Sequence, residues 1–178
     1  MQYTKISEIY DANDQIRLKL KAVIGDLTEA QAGARENDEG WTIREIVEHL
    51  AIVEDGMTKI CARLLAGGAE KGAKADGGAN ISGAFLEKTS AWGSAKVEAP
   101  ERVHPTGTKS IAESVATLDE NRSRLNDLRS AFETVECTEF TFPHPAFGDM
   151  SAHEWLALLG AHEARHISQI RRILAGTE

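Results

Sequence analysis

The fold is decided by residues 151–176, which read SAHEWLALLGAHEARHISQIRRILAG. Apolar residues recur there at steps of three and four, the period of one face of an α-helix. They are Trp155, Leu158, Leu159, Ile170, Ile173 and Leu174. Ser151 and Glu154 have the S/T-x-x-E spacing of a capping box, in which both side chains bind free backbone N–H groups at a helix start. The stretch therefore predicts an amphipathic helix over residues 151–175, with Gly176 just beyond its end.

The same period marks three more helices upstream, at about residues 6–27, 42–66 and 110–132. Two of them begin with further capping boxes, Thr42 with Glu45 and Ser110 with Glu113. Gly67-Gly68 is expected to end the second helix, and strand alternation is hard to find. Four amphipathic helices with one long crossover predict an all-α four-helix bundle.

The crossover, about residues 67–109, holds eight of the 15 glycines in the chain. A structureless connection of this length is unusual within a compact domain and is often functional. Its middle, residues 81–92, could form a short helix that ends at Trp92. A packed loop is the favoured interpretation of this region, and a lid over a functional site is the alternative.

Length and composition narrow the class of protein. The 178 residues, 42% of them hydrophobic, predict one soluble domain over residues 1–178,. A net charge of −8 opposes binding to nucleic acid or to anionic membranes,. Two cysteines, Cys61 and Cys137, indicate buried thiols rather than a disulfide framework,. No signal-peptide core and no apolar run of membrane-spanning length is found, so a cytoplasmic location is expected.

Three of the six histidines are expected to face one interior. An α-helix advances about 100° per residue, which places His162 and His166 on the apolar stripe of the fourth helix, one turn apart. His49 lies near the apolar stripe of the second helix. Imidazoles at this spacing can share a metal ion, and three protein ligands would leave one position open for water or substrate. Histidines that are simply hydrogen-bonded in the core remain the alternative.

The other three histidines are expected to be outside that interior. His153 lies on the opposite side of the fourth helix and should be solvated. His144, in the loop before that helix, is expected to fix the loop by a hydrogen bond, and His104 should lie on the surface.

Residues 162–166 also match the zinc-peptidase string HExxH,. A peptidase is disfavoured, because Gln169 and Arg172 stand where the extended form of that motif has Gly and His. Glu163 is therefore expected to be a surface carboxylate, with base catalysis or orientation of a ligand as a minor alternative. Glu45, one turn before His49, is a similar candidate.

Three segments together resemble the DinB-like superfamily. They are GWTIREIVEHL at residues 40–50, HPAFGDMSAHEW at 144–155 and AHEARHISQI at 161–170. The resemblance implies an up-down-down-up four-helix bundle. It also implies a divalent metal, nickel or zinc, held by His49, His162 and His166, and a homodimer. Bacillithiol S-transferases and the mycothiol-dependent maleylpyruvate isomerase are members of that superfamily.

The expected function is therefore that of a metal-dependent thiol S-transferase, in which the metal activates a low-molecular-weight thiol to attack a small-molecule substrate. A bound cation favours the thiolate, which is the nucleophilic form. Two alternatives stay open. One is a hydrolase that uses metal-bound water, and the other is a metal-binding stress or interaction module without enzymatic activity.

Overall fold

A computed structural model describes residues 3–72, 74–92 and 98–176. Four long helices make up the bundle: α1 (Ile6–Ile24), α3 (Ile43–Lys71), α5 (Ile111–Asp127) and α7 (Ala152–Ala175). Shorter elements connect them: α2 (Glu29–Ala32), α4 (Gly83–Trp92), a 3-10 turn (Glu101–Val103), α6 (Arg129–Thr134) and a hairpin of β1 (Thr141–His144) and β2 (Gly148–Ser151). The predicted four-helix bundle is confirmed.

Polar contacts between helices establish their directions. The contacting pairs are Asn13–Leu156 and Arg17–Glu163 for α1 with α7, Ala51–Asn121 and Asp55–Arg124 for α3 with α5, and Cys61–Ala152 and His49–His162 for α3 with α7. From one contact to the next, the residue numbers increase together for α1 with α7 and for α3 with α5. For α3 with α7, the number in one helix increases while the number in the other decreases. Therefore α1 and α7 run parallel, α3 and α5 run parallel, and the two pairs are antiparallel. This is the up-down-down-up order that the resemblance implied.

All three predicted capping boxes are formed, at Thr42, Ser110 and Ser151. They fix the starts of α3, α5 and α7 close to the predicted positions. The predicted first helix ends earlier, at Ile24, and the predicted third helix divides at Leu128 into α5 and α6. Of the described helices, none has the length and apolar character that crossing a membrane requires.

The prediction that Gly67-Gly68 ends the second helix was wrong. Helix α3 continues to Lys71 and ends at Gly72, whose positive φ of 70° is the left-handed conformation that favours glycine,. The two earlier glycines permit close packing instead. A Cβ added to Gly68 would lie 2.6 Å from the carbonyl oxygen of Glu136, and one on Gly67 would lie 2.9 Å from the Phe140 ring.

The β-hairpin was missed, because its strands have only four residues each and Pro143 interrupts the first. Thr141 pairs with Ser151 and His144 with Gly148, so the hairpin leads directly into α7. In the crossover, the predicted short helix is present as α4, ending at Trp92. Residues 73 and 93–97 of the predicted connection lie outside the described residues.

Candidate metal centre

His49 of α3 meets His162 and His166 of α7 at one point inside the bundle. The Nε2 atom of His162 lies 3.3 Å from Nε2 of His49 and 3.2 Å from Nε2 of His166. One ring nitrogen from each of the three residues lies within 4.8 Å of the other two. All three side chains are buried, with exposed fractions of 3%, 8% and 9% in chain order. The i,i+4 spacing on α7 and the antiparallel approach of α3 produce this convergence.

Hydrogen bonds on the far side of two rings fix which nitrogen is free. His49 donates from Nδ1 to the carbonyl oxygen of Val103, at 2.8 Å. His166 donates from Nδ1 to Oε1 of Gln169, also at 2.8 Å. A neutral imidazole carries one N–H, so the Nε2 atoms of both rings present lone pairs to the cluster. This is the orientation that metal-binding histidines generally show.

The environment keeps the three rings neutral. Burial lowers the pKa of His49, holds that of His162 well below its usual range, and lowers the pKa of His166 to about 3,. The Nε2 atom of His162 carries at most one proton, so it cannot donate fully to both neighbours. A cation at the meeting point would bind all three lone pairs. The donor set thus fits a divalent metal ion such as zinc or nickel.

Aromatic rings enclose the cluster on two sides. The Trp92 ring stacks on His162 at 5.9 Å between centroids, with only 17° between the planes. The Trp41 ring lies 4.7 Å from the His49 ring. Arg165 places its guanidinium 5.0 Å from the centre of the Trp92 ring and donates to the Trp92 carbonyl. Trp92 at the end of α4 therefore covers the site, and Arg165 contacts Trp92.

Glu163 does not approach the cluster, and its interpretation as a surface carboxylate was also wrong. Its side chain is 2% exposed and accepts hydrogen bonds from Arg17 Nε at 2.9 Å and Nη2 at 3.0 Å. Glu163, one of the two candidate bases, thus faces Arg17 of α1 and not the histidines. Helical periodicity placed it at the edge of the apolar stripe but could not show that Arg17 would pair with it.

Glu45, the other candidate, belongs to the start of α3. Its Oε2 atom accepts from Thr42 N at 2.7 Å and from Thr42 Oγ1 at 2.8 Å, which completes the capping box. The groups that hydrogen-bond the ligand rings, Val103 and Gln169, were not predicted from the sequence. Gln169 follows His166 by three residues, a helical spacing that could have indicated it. No side-chain signal exists for Val103, because its backbone carbonyl makes the contact.

The remaining histidines and the cysteines have separate places. His144 accepts from Ala146 N at 3.1 Å, so its predicted role in fixing the loop is confirmed, and His104 is exposed as expected. His153 is 2% exposed, contrary to prediction, because crossover residue Asn80 packs over it and donates to Nδ1 at 3.1 Å. Cys61 and Cys137 are buried free thiols.

Comparisons with known proteins agree with this architecture. The family model described as the DinB superfamily matches residues 12–170. YuaE, an uncharacterized protein of Bacillus subtilis (strain 168), is 24% identical over 161 residues, which cover 90% of this chain and 93% of that protein.

Two solved structures share the fold. TT2238, a four-helix bundle protein, has a TM-score of 0.63 and 22% identity, covering 93% of this chain and 98% of its own. YfiT from Bacillus subtilis has a TM-score of 0.60 and 21% identity, and the match covers 96% of this chain and 86% of YfiT. YfiT is described as a probable metal-dependent hydrolase with an unusual four-helix bundle topology.

Proposed function

Because this chain belongs to the DinB superfamily, we propose that it is a metal-dependent enzyme whose His49, His162 and His166 hold one divalent ion, nickel or zinc. The observation that carries the proposal is the convergence of three buried imidazoles, one nitrogen from each within 4.8 Å. The fixed Nδ1–H groups of His49 and His166 support it, because they leave the Nε2 lone pairs directed inward.

Three histidine ligands leave a coordination position for a further ligand. A metal ion held here would lower the pKa of a thiol or a water molecule bound at that position. The protein side chains contribute orientation and exclusion of solvent: the ligand rings are at least nine-tenths buried, and Trp92 covers His162. A bound nucleophile would therefore be held in a site of low polarity.

Thiol transfer is the reaction that we favour. Within the described parts of the chain, the three-histidine cluster contains no carboxylate or cysteine, and Glu163 is bound to Arg17. Among the residues that the structure describes, no carboxylate or cysteine therefore joins the histidines to act as a general base. A thiol bound to a cation ionises without such a base, so a small thiol suits this site as the nucleophile.

Hydrolysis by an activated water molecule is the second candidate. The description of YfiT as a probable metal-dependent hydrolase favours it, and a three-histidine site is known to activate water in other folds. The two candidates share the metal site and differ in the nucleophile. A non-enzymatic metal-binding module would have the same ligands but no turnover with either one.

The test begins with metal content. Natively purified wild-type protein is expected to contain about one equivalent of nickel or zinc by plasma mass spectrometry, and His162→Ala is expected to lose it. His153→Ala is the matched control, since His153 is a buried histidine of the same helix that lies outside the cluster and should leave metal content unchanged. Absence of metal from the wild type, even after incubation with zinc and nickel salts, would contradict the proposal.

Activity assays of the metal-bound protein then distinguish the transferase from the hydrolase and from the non-enzymatic module. Transfer of a low-molecular-weight thiol to an electrophile, with loss in His162→Ala, would support the transferase. Hydrolysis of activated esters or amides without added thiol would support the hydrolase instead. Turnover in neither assay, with metal bound, would favour the non-enzymatic module.

A further inference from the structure

Glu48, the residue before His49, binds the crossover by its carboxylate. It is only 4% exposed. Its Oε1 atom accepts from Thr106 N at 3.0 Å and from Thr106 Oγ1 at 2.6 Å, and its Oε2 atom accepts from Gly107 N at 3.0 Å. Three donors thus meet one buried carboxylate. Gly107 has a positive φ of 73°, which lets consecutive N–H groups turn toward the same side chain,.

The same stretch of crossover also touches the metal centre. Val103, three residues before Thr106, accepts the hydrogen bond from His49 Nδ1 at 2.8 Å. It belongs to the 3-10 turn, in which its own N–H donates to the carbonyl of Pro100 at 3.0 Å. Neighbouring residues of α3 therefore hold two points of one short segment: Glu48 holds residues 106–107, and His49 holds residue 103.

We infer that Glu48 is a positioning residue for His49. By fixing the crossover segment, it holds the Val103 carbonyl against Nδ1, which keeps the proton on Nδ1 and the lone pair on Nε2. This inference rests on the proposed function, since His49 is taken as a metal ligand. Glu48 touches neither the cluster nor a substrate, so it acts only through the segment. Groups that hydrogen-bond a ligand directly, as the Val103 carbonyl does, typically change metal affinity 10- to 100-fold when they are removed,.

The test uses Glu48→Gln and Thr106→Val. The first keeps the size of the side chain but turns an amide NH₂ toward one of the three donors. The second removes one donor from an exposed residue, so it provides a milder change if Glu48→Gln fails to fold. Glu8→Gln is the matched control, because Glu8 accepts from Thr4 N, Thr4 Oγ1 and Lys5 N in the same manner at the start of α1.

Two readouts are needed. Nitrogen-15 NMR of the metal-free proteins should show one fixed Nδ1–H tautomer for His49 in the wild type and Glu8→Gln, and mixed tautomers in Glu48→Gln. Zinc affinity, measured by competition with a chelator, should fall about tenfold in Glu48→Gln and less in Thr106→Val. Glu8→Gln should keep the wild-type affinity, even where its thermal midpoint falls.

Distinct outcomes would overturn the two proposals. Wild-type protein that binds neither zinc nor nickel would contradict the proposed function, while the tautomer measurement would still test the role of Glu48. If the wild-type protein binds zinc, and Glu48→Gln and Thr106→Val both keep the wild-type His49 tautomer and zinc affinity, the role of Glu48 is overturned and the metal centre stands.

Discussion

Glu163 lies between two proposed metal ligands in sequence and belongs to a different network in space. Its partner Arg17 also binds Glu54 of α3, and Arg17, Glu54 and Glu163 are each at most 5% exposed. Buried charges are costly to desolvate, so such a group is tolerated only when its partners are in place. We therefore assign Glu163 to the stability of the bundle.

Replacement of Glu163 by Gln should lower the free energy of unfolding by about 3 kcal/mol, because Arg17 loses one of its two buried carboxylate partners. Urea unfolding measures this change. Glu133→Gln, which removes an exposed i,i+4 partner of Arg129, should change stability little,. Metal content should stay at one equivalent in both variants. A Glu163→Gln protein of wild-type stability that had lost its metal or its turnover would return Glu163 to the active site.

Helix α3 is the element that links packing to the metal centre. Its N-terminal half carries His49, and its C-terminal half packs so closely on the segment before β1 that glycine is required. Gly68 approaches the Glu136 carbonyl, whereas a Cβ on Gly56 of the same helix would meet no atom within 4 Å. The two positions have the same helical backbone and different surroundings, so they form a matched pair.

Gly68→Ala should destabilise the protein by about 1–3 kcal/mol, since the added methyl group overpacks against backbone. Gly56→Ala should stabilise it by about 0.5–1 kcal/mol, because alanine is the better helix former. Chemical denaturation of the three proteins gives both values. Equal effects of the two substitutions would show that the packing at Gly68 is not as close as the structure has it.

The helices could be predicted from the sequence where their signals depend on residues close together in the chain. Caps and apolar periods depend on residues within a few positions of one another, so the starts of α3, α5 and α7 were predictable. The exposure of Glu163 and His153 depends on Arg17 and Asn80, which lie 146 and 73 positions away. Gly67 and Gly68 were misjudged for the same reason, because their neighbours Phe140 and Glu136 are distant in sequence.

At the scale of the whole molecule, each bundle helix contributes one residue to a buried network of charges. Arg17, Glu54, Arg122 and Glu163 come from α1, α3, α5 and α7, and Arg122 lies 4.0 Å from Glu54 and 3.8 Å from Glu163. The three histidines make a further contact between α3 and α7, the helices that carry Glu54 and Glu163. The homodimer and the small-thiol partner expected from the sequence stay predictions.

X-ray absorption at the metal edge tests most directly whether the three histidines bind one metal ion. Natively purified protein should show three imidazole nitrogens around one nickel or zinc ion, at about 2.0–2.1 Å if the metal is zinc. His166→Ala should show two imidazoles or lose the metal. A metal bound by fewer than three imidazoles in the wild type, or no binding after incubation with either ion, would contradict the account.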